Sequence, residues 1–286
     1  MNICYLDFWP GFDTNCNWFN LMFADFFKGK EINFNSSPEE ADIIMFSCFG
    51  SEHHYRNKNP KAVKIFYTGE NERPKFPFAD YSLSFDHESY DDRNFRLPHW
   101  YLYINWWGVE NFPHATISTE KLFAHHNPEE VYARKNFCNI VIGNPVSNRL
   151  EVANKLNEYK PVHGFGRVFG RPYDGSKVDL LENYRYNICF ENDIYPGYVT
   201  EKLLQAKVAG CIPIYYGTDS ADIDFNKNSF INYNKYESAQ SLLDYIKNID
   251  SDKDKFLEIA KQPLFNNKPN LDNLYSFLKK ALKYYA

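Results

Sequence analysis

The stretch NICFENDIYPGYVTEKLLQAKVAGCIPIYYG, residues 187–217, decides the fold. NICF reads as a short strand, the segment 200–209 as an amphipathic helix stopped by Gly210, and CIPIYYG as a second strand, so the whole is a βαβ unit. The polar side chains of FENDIYPGYVTEK, residues 190–202, gather where strand hands over to helix, the place where open α/β sheets bind ligands. A helix N-terminus offers unpaired backbone N–H groups and the positive end of its dipole. Lys202 in the first turn adds a full charge, which suits a phosphate or diphosphate. Glu201 cannot favour a phosphate; its expected task is to accept hydrogen bonds from sugar hydroxyls, as acidic residues do with a ribose. A charged pair at a helix start is often only solvated. Here, however, Asn192, Gly197, Tyr198, Thr200, Glu201 and Lys202 combine a turn, an aromatic platform, donors and a charge pair in one segment, which points to a nucleotide-sugar site.

The same alternation runs through the chain. The first half offers ICYLDF, an apolar-faced helix at 18–27 closed by Gly29, then EINFN, ADIIMFSCF, VKIFY, YSLSF and a strand around 100–104. A polar, poorly patterned stretch follows at 113–135. A fresh series opens with FCNIVIGN and continues through a helix at 148–159, PVHGFG, a short helix at 178–184 and the unit quoted above. It closes with SFINY and helices near 238–248, 251–261 and 270–285. The pattern predicts an α/β protein of two Rossmann-like domains, residues 1–134 and 135–286, with the terminal helices in the second.

Composition narrows the partners. A net charge of −5 without a basic run excludes nucleic acid and an anionic membrane surface as expected partners. No basic leader precedes an apolar stretch, and nothing approaches the roughly 18 uncharged apolar residues of a membrane helix, so no transmembrane segment is expected. The six cysteines lack CxxC spacing and read as reduced, buried small hydrophobes. No metal site is expected. Asp222 and Asp224 form a DxD outside the matching context; Asp250, Asp252 and Asp254 start like an EF-hand loop but lack its glycine and terminal glutamate, and read as a solvated helix start. His53-His54 and His125-His126 are adjacent pairs without zinc spacing. The abundance of Phe and Tyr fits sugar stacking but equally an A/T-rich genome.

A second candidate lies in FYTGENERP, residues 66–74, where a strand gives way to a loop carrying Glu70. A carboxylate there can act as general base, contributing a factor of roughly 10² to 10⁴ when within hydrogen-bond reach of the hydroxyl it deprotonates. In isolation the segment is a charged surface turn. Together, FYTGENE, DYSLSFDHESYDDRNFRLP, FCNIVIGNP, NICFENDIYPGYVTEKL, CIPIYYG and SFINY resemble, in order, the bacterial α-1,3/4-fucosyltransferases of glycosyltransferase family 10. The resemblance covers residues 64–234; the two ends of the chain carry none of it.

That resemblance implies the GT-B arrangement of two facing Rossmann-like domains with a cleft between them, residues 1–134 binding acceptor and 135–286 binding GDP-fucose. By motif, it assigns Glu70 as the base and Asn192, Tyr198, Glu201 and Lys202 to the donor, with Glu201 on ribose hydroxyls and Lys202 on the diphosphate. Arg167 matches the phosphate-contacting arginine, with Arg171 close enough to compete for the role, and Asn144 lines the pocket. The implied reaction is inverting transfer of L-fucose from GDP-β-L-fucose to N-acetylglucosamine in an N-acetyllactosamine-type glycan, expected to form an α-1,3 linkage, with no cofactor or metal required. Trp100, Trp106 and Trp107 are candidate acceptor-stacking residues, with core packing as the competing use. The anchors, heptad repeats and basic tail of other members are missing, so a cytoplasmic bacterial enzyme, at most peripheral to the inner membrane, is expected. A GT-B transferase using another GDP-sugar is the alternative, and a non-catalytic glycan-binding protein the more distant one.

Overall fold

Runs such as IIMF and VKIFY are apolar at every or nearly every position, which suits strands covered on both faces of a parallel sheet. The computed structural model describes residues 1–53, 59–110, 112, 117–145, 147–283 and 285. In it β1 (Ile3–Leu6), β2 (Ile43–Phe46), β3 (Val63–Tyr67), β4 (Tyr81–Ser84) and β5 (Asn94–Arg96) form a parallel sheet in chain order. Alternation along each strand divides the burial between two layers. Ile3, Ile43, Met45, Ile65 and Leu83 pack with Phe19, Met22 and Phe23 of α1 (Trp18–Phe26), whereas Cys4, Leu6, Ile44, Phe46 and Phe66 belong to the opposite layer. Asn17 caps α1 by accepting the Asn20 N–H at 3.0 Å.

A 3₁₀ turn at His99–Tyr103 leads to β6 (Ile104–Asn105); β7 (Ile117–Ser118), α2 (Thr119–Phe123) and α3 (Pro128–Tyr132) precede the second sheet. That sheet contains β8 (Asn136–Val141), β9 (Val162–Phe165), β10 (Tyr184–Phe190), β11 (Ile212–Tyr216) and β12 (Ile231–Asn232), all parallel, in the order β12-β11-β10-β8-β9. The chain moves outward from β8 to β9 and then resumes on the other side of β8 with β10. The strand order therefore reverses between β8 and β10, where the C-terminal strand ends of an α/β sheet open a crevice. Buried Asn187 donates to Asn139 Oδ1 at 2.7 Å across this pair of strands, a polar contact that only one register satisfies.

One layer against this sheet comes from α4 (Ser147–Asn157), α8 (Ala239–Asp250) and α9 (Lys253–Ala260), through Val152, Leu156, Leu242, Ile246 and Phe256. In chain order between α4 and α8 come α5 (Lys177–Leu181), α6 (Glu201–Val208) and α7 (Ala221–Asp224); α6 packs on β10 and β11. Asp250 is buried, paired with Lys160 at 2.5 Å and Arg185 at 2.8 Å, while Asp252 caps α9. The acidic run is therefore part core anchor, part helix start. All six cysteines are unpaired, four of them buried, and no helix among the described residues is long and apolar enough to cross a membrane.

Several expectations need correction. EINFN contributes only an isolated bridge, Asn33 to Asn2, and the expected strand around 100–104 is mostly the 3₁₀ turn. Part of the stretch 113–135 is α2 and α3, too short to show a periodicity; residues 113–116 and His54 lie outside the described residues. The chain divides into one unit of Met1–Thr116 with Pro269–Ala286 and another of Ile117–Lys268, not at Arg134. Arg134 donates to Tyr184 O and Ala209 O, and Val131 joins the second core, which places this region well inside the second unit. The final helix, α10 (Asp272–Ala281), returns to the first. Its Leu274, Leu278 and Ala281 are buried with the β1–β4 layer, and Tyr275 donates to Asp25 at 2.6 Å.

Leu278 is fully buried. Leu278→Ala is expected to destabilise the first unit by about 2–5 kcal/mol, read as a lowered denaturant midpoint; an unchanged midpoint would remove α10 from that core.

Candidate functional site

Every strand of the second sheet ends at the same edge, so the residues that follow them are brought together whatever their separation in sequence. Asn144 follows β8, Arg167 follows β9, Glu191 and Asn192 follow β10, and Gly217 follows β11. Glu191, the middle residue of FEN, organises this edge. It is buried, and its Oε1 accepts the Thr200 N–H at 2.8 Å while Oε2 accepts from the Thr200 hydroxyl at 2.6 Å and Lys202 Nζ at 3.0 Å. Its own N–H donates to Tyr216 O at 2.7 Å. Gly217 leaves room for it: a Cβ there would lie 2.9 Å from Glu191 Cγ.

Lys202 is nearly enclosed. Besides Glu191 it donates to Thr200 Oγ1 at 2.7 Å and lies 3.9 Å from Glu201 Oε1. Burial alone would push its ammonium down, but the Glu191 and Glu201 carboxylates hold its pKa well above the ordinary lysine value. It therefore keeps its charge at neutral pH. Two of its three N–H groups serve these internal partners, which leaves one for a ligand. Thr200 caps α6 by position but not by a side-chain bond, because its hydroxyl is spent on Glu191 and Lys202, so the N-cap side chain does not cover the start of α6. Gly197, at φ +88°, turns the loop with its N–H on Ser220 Oγ at 2.7 Å.

At the reversal between β8 and β10 stands a residue that the sequence reading passed over, Arg149 of α4. Its guanidinium is buried and donates through Nη2 to Phe190 O at 2.8 Å and Asn192 Oδ1 at 2.6 Å, and through Nη1 to Asn144 O at 3.4 Å. Burial pulls its pKa down while the Glu191 charge opposes the shift. Arg167 is exposed and donates to Asn144 Oδ1 at 3.3 Å, so Arg167, Asn144, Arg149 and Asn192 form one hydrogen-bonded chain along the edge. Arg171 points elsewhere, stacked 4.4 Å from the Phe165 ring centroid. Lys177, half-buried, is also within the field of Glu201, Lys202 and Glu191, and burial lowers its pKa.

Tyr198 is not an open platform. Its side chain is buried, with its hydroxyl close enough to Arg149 and Lys202 to act on both electrostatically. Glu201 stays partly accessible beside Lys202.

Glu70 follows β3 in the first unit and is exposed. Its N–H donates to the buried Thr68 hydroxyl at 3.0 Å, and its carbonyl accepts the Glu72 N–H at 2.7 Å, which fixes the loop backbone while leaving the carboxylate outside. The tryptophans suggested for stacking are occupied: Trp100 is buried, Trp106 donates to Tyr101 O and Trp107 to Tyr275 OH. Aromatic side chains not singled out, Phe8, Trp9 and Phe12 after β1 and exposed Phe49 after β2, stand instead at the strand ends of this unit. Among the described residues no group of three His, Cys, Asp or Glu is placed to hold a metal ion.

Two parallel α/β units, one with a cation-rich crevice at its strand ends, define the GT-B class of glycosyltransferases. Family comparison agrees. Residues 3–103 match the N-terminal domain of alpha-(1,3)-fucosyltransferase FucT, and residues 132–261 match the C-terminal part of glycosyltransferase family 10, the fucosyltransferases. The alpha-(1,3)-fucosyltransferase FucT of Helicobacter pylori is 30% identical over 284 residues, an alignment spanning 89% of this chain and 58% of that protein. The chain thus spans little more than half the length of this relative. A crystal structure of an alpha1,3-fucosyltransferase superposes with a TM-score of 0.78 at 26% identity, covering 99% of this chain and 90% of that one. A structure of alpha1,3-fucosyltransferase with GDP gives 0.73 at 25% identity over 99% and 90% of the two chains. The chain belongs to glycosyltransferase family 10.

Glu191→Gln removes a buried anion and leaves the Lys202 ammonium without its nearest carboxylate. The expected result is a loss of about 3–5 kcal/mol in unfolding free energy, measured by denaturant titration; stability within experimental error of the parent would mean that the pair does not hold the edge.

Proposed function

We propose that the chain transfers L-fucose from GDP-β-L-fucose to a hydroxyl of N-acetylglucosamine in an N-acetyllactosamine-type glycan, with inversion, to form an α-1,3 linkage. The observation that carries this reading is the enclosed Lys202, kept charged by Glu191 at the open N-terminus of α6 beside buried Arg149, in a family of fucosyltransferases. The α-1,3 linkage is supported by the activity named for the Helicobacter pylori relative, and the GDP donor by the GDP-bound structure.

In this reading the diphosphate lies against the α6 N-terminus and takes the remaining Lys202 N–H. Glu201 accepts from the ribose hydroxyls. Asn192 and Asn144, oriented by Arg149, line the pocket, and exposed Arg167 adds charge from the β9 side. Tyr198 acts by packing under the loop. The acceptor hydroxyl gives its proton to Glu70 as its oxygen bonds to the anomeric carbon, and the bond to GDP breaks on the opposite face, so β becomes α. Negative charge grows on the leaving diphosphate and is taken up by the remaining Lys202 N–H and the start of α6, with buried Arg149 adding positive charge from behind Asn192.

A donor panel tests the whole reading: GDP-fucose should be consumed and an α-1,3-fucosylated lactosamine formed, and turnover of UDP- or CMP-sugars with GDP-fucose ignored would overturn it. Glu70→Gln is expected to lower turnover by roughly 10² to 10⁴ with GDP affinity unchanged; parental turnover would remove Glu70 from the base role. Lys202→Ala should weaken GDP binding by about tenfold to a hundredfold, by calorimetry on protein shown to be folded, and undiminished affinity would take Lys202 off the diphosphate.

A further inference from the structure

The second unit has a cavity of about 570 Å³ that belongs to none of the machinery above. It lies at the far end of α6, where Lys207, Val208 and Gly210 close the helix, whereas the donor edge lies at its N-terminus. Its other walls are the segment around α2 and the stretch that follows α9. The volume falls within the range of about 300–1,000 Å³ usual for small-molecule sites.

The lining has two characters. Leu122, Phe123, Leu264 and Phe265 make an apolar wall, with Phe123 and Phe265 ring centroids 6.4 Å apart. Lys207, Lys261, Lys268, His125 and His126 supply basic groups, and no Asp or Glu is among the described residues that line it. Lys268 Nζ lies 4.5 Å from the centroid of Phe123, so a cation is already drawn over the aromatic wall. His126 Nε2 is bonded to Val208 O at 2.6 Å, which fixes its ring in the rim.

Lys207 decides the chemistry. It is 8% exposed and donates to Ala260 O at 2.9 Å and Ile259 O at 3.4 Å, yet no carboxylate pairs with it among the described residues. Capping the last carbonyls of α9 explains two of its three N–H groups but supplies no counter-charge. Burial lowers its pKa to about 8, so near neutrality it is still mostly an ammonium held in a costly place. A negative group in the adjoining space would relieve that cost.

We propose that this cavity binds a small organic anion, a carboxylate or sulfonate carried on an aromatic body, with the acid group at Lys207 and the body against Phe123 and Phe265. It is a second ligand site, independent of the donor edge and of the proposed transfer activity. Both helix ends that reach it present carbonyls, and these are engaged by Lys207 and His126, so the remaining positive charge of the lysines is what a ligand meets.

The test uses the full chain with two fluorescent probes, 1-anilinonaphthalene-8-sulfonate and its neutral counterpart N-phenyl-1-naphthylamine, each titrated with and without GDP. One sulfonate probe per chain should bind, unaffected by GDP, with the neutral probe weaker by about tenfold or more. Lys207→Met should weaken the sulfonate probe by a similar factor. Since that change also uncaps α9, Lys268→Met at an exposed position provides a variant free of this risk and should weaken it by about threefold. Displacement by GDP, equal affinity for the two probes, or unchanged affinity in folded Lys268→Met would each overturn the proposal.

Discussion

The carboxylate of Glu191 is the constraint on which the strand-end edge of the second unit depends. It sits buried where β10 ends, and its partners lie nine to eleven positions further along. It thus ties the beginning of the loop 192–199 to its end. A buried carboxylate without partners would be prohibitively costly, and a buried ammonium equally so; each is tolerable because of the other and because the Thr200 hydroxyl donates to the carboxylate and accepts from the ammonium. The loop between them is therefore tied at its base, which lowers the entropy it has left to lose when a ligand is bound.

The strand reversal does the complementary work. In the first sheet the order follows the chain, and no crevice of this kind arises; in the second, the reversal sets the ends of β8 and β10 side by side. Arg149 fills the gap and turns two unrelated asparagines, Asn144 and Asn192, into parts of one network. The two units use the same parallel-strand architecture to different ends. One presents cations and a helix N-terminus, the other an exposed carboxylate and a cluster of aromatic rings.

Much of this was legible in the sequence because local patterns carried it. The βαβ unit at 187–217, the parallel strands and the positions of Glu201 and Lys202 follow from periodicity, a glycine stop and charge at a helix start. Glu191 was hidden in plain view. A glutamate between an aromatic residue and an asparagine has no local signature of burial, and its value lies in contacts made through the fold. Arg149 looks like an ordinary charge on a helix until the strand order places it at the crevice. Tyr198 reads as exposed because it sits among polar neighbours, but it is buried. The terminal helix shows its apolar face clearly, and nothing local says which core that face will meet. EINFN has strand-like residues but finds only one bridge.

The return of α10 to the first unit makes the second unit an insertion within the first. As the chain emerges from the ribosome, residues 1–116 appear first but cannot complete their core, because Leu274, Leu278 and Leu282 are still to be made. The second unit, contiguous in sequence, can close earlier. The usual order of N-terminal domain first is thus inverted, and the unfinished sheet must wait with apolar surface exposed while roughly 150 residues are added. That interval, rather than the stability of the finished protein, is when the first sheet is most open to aggregation.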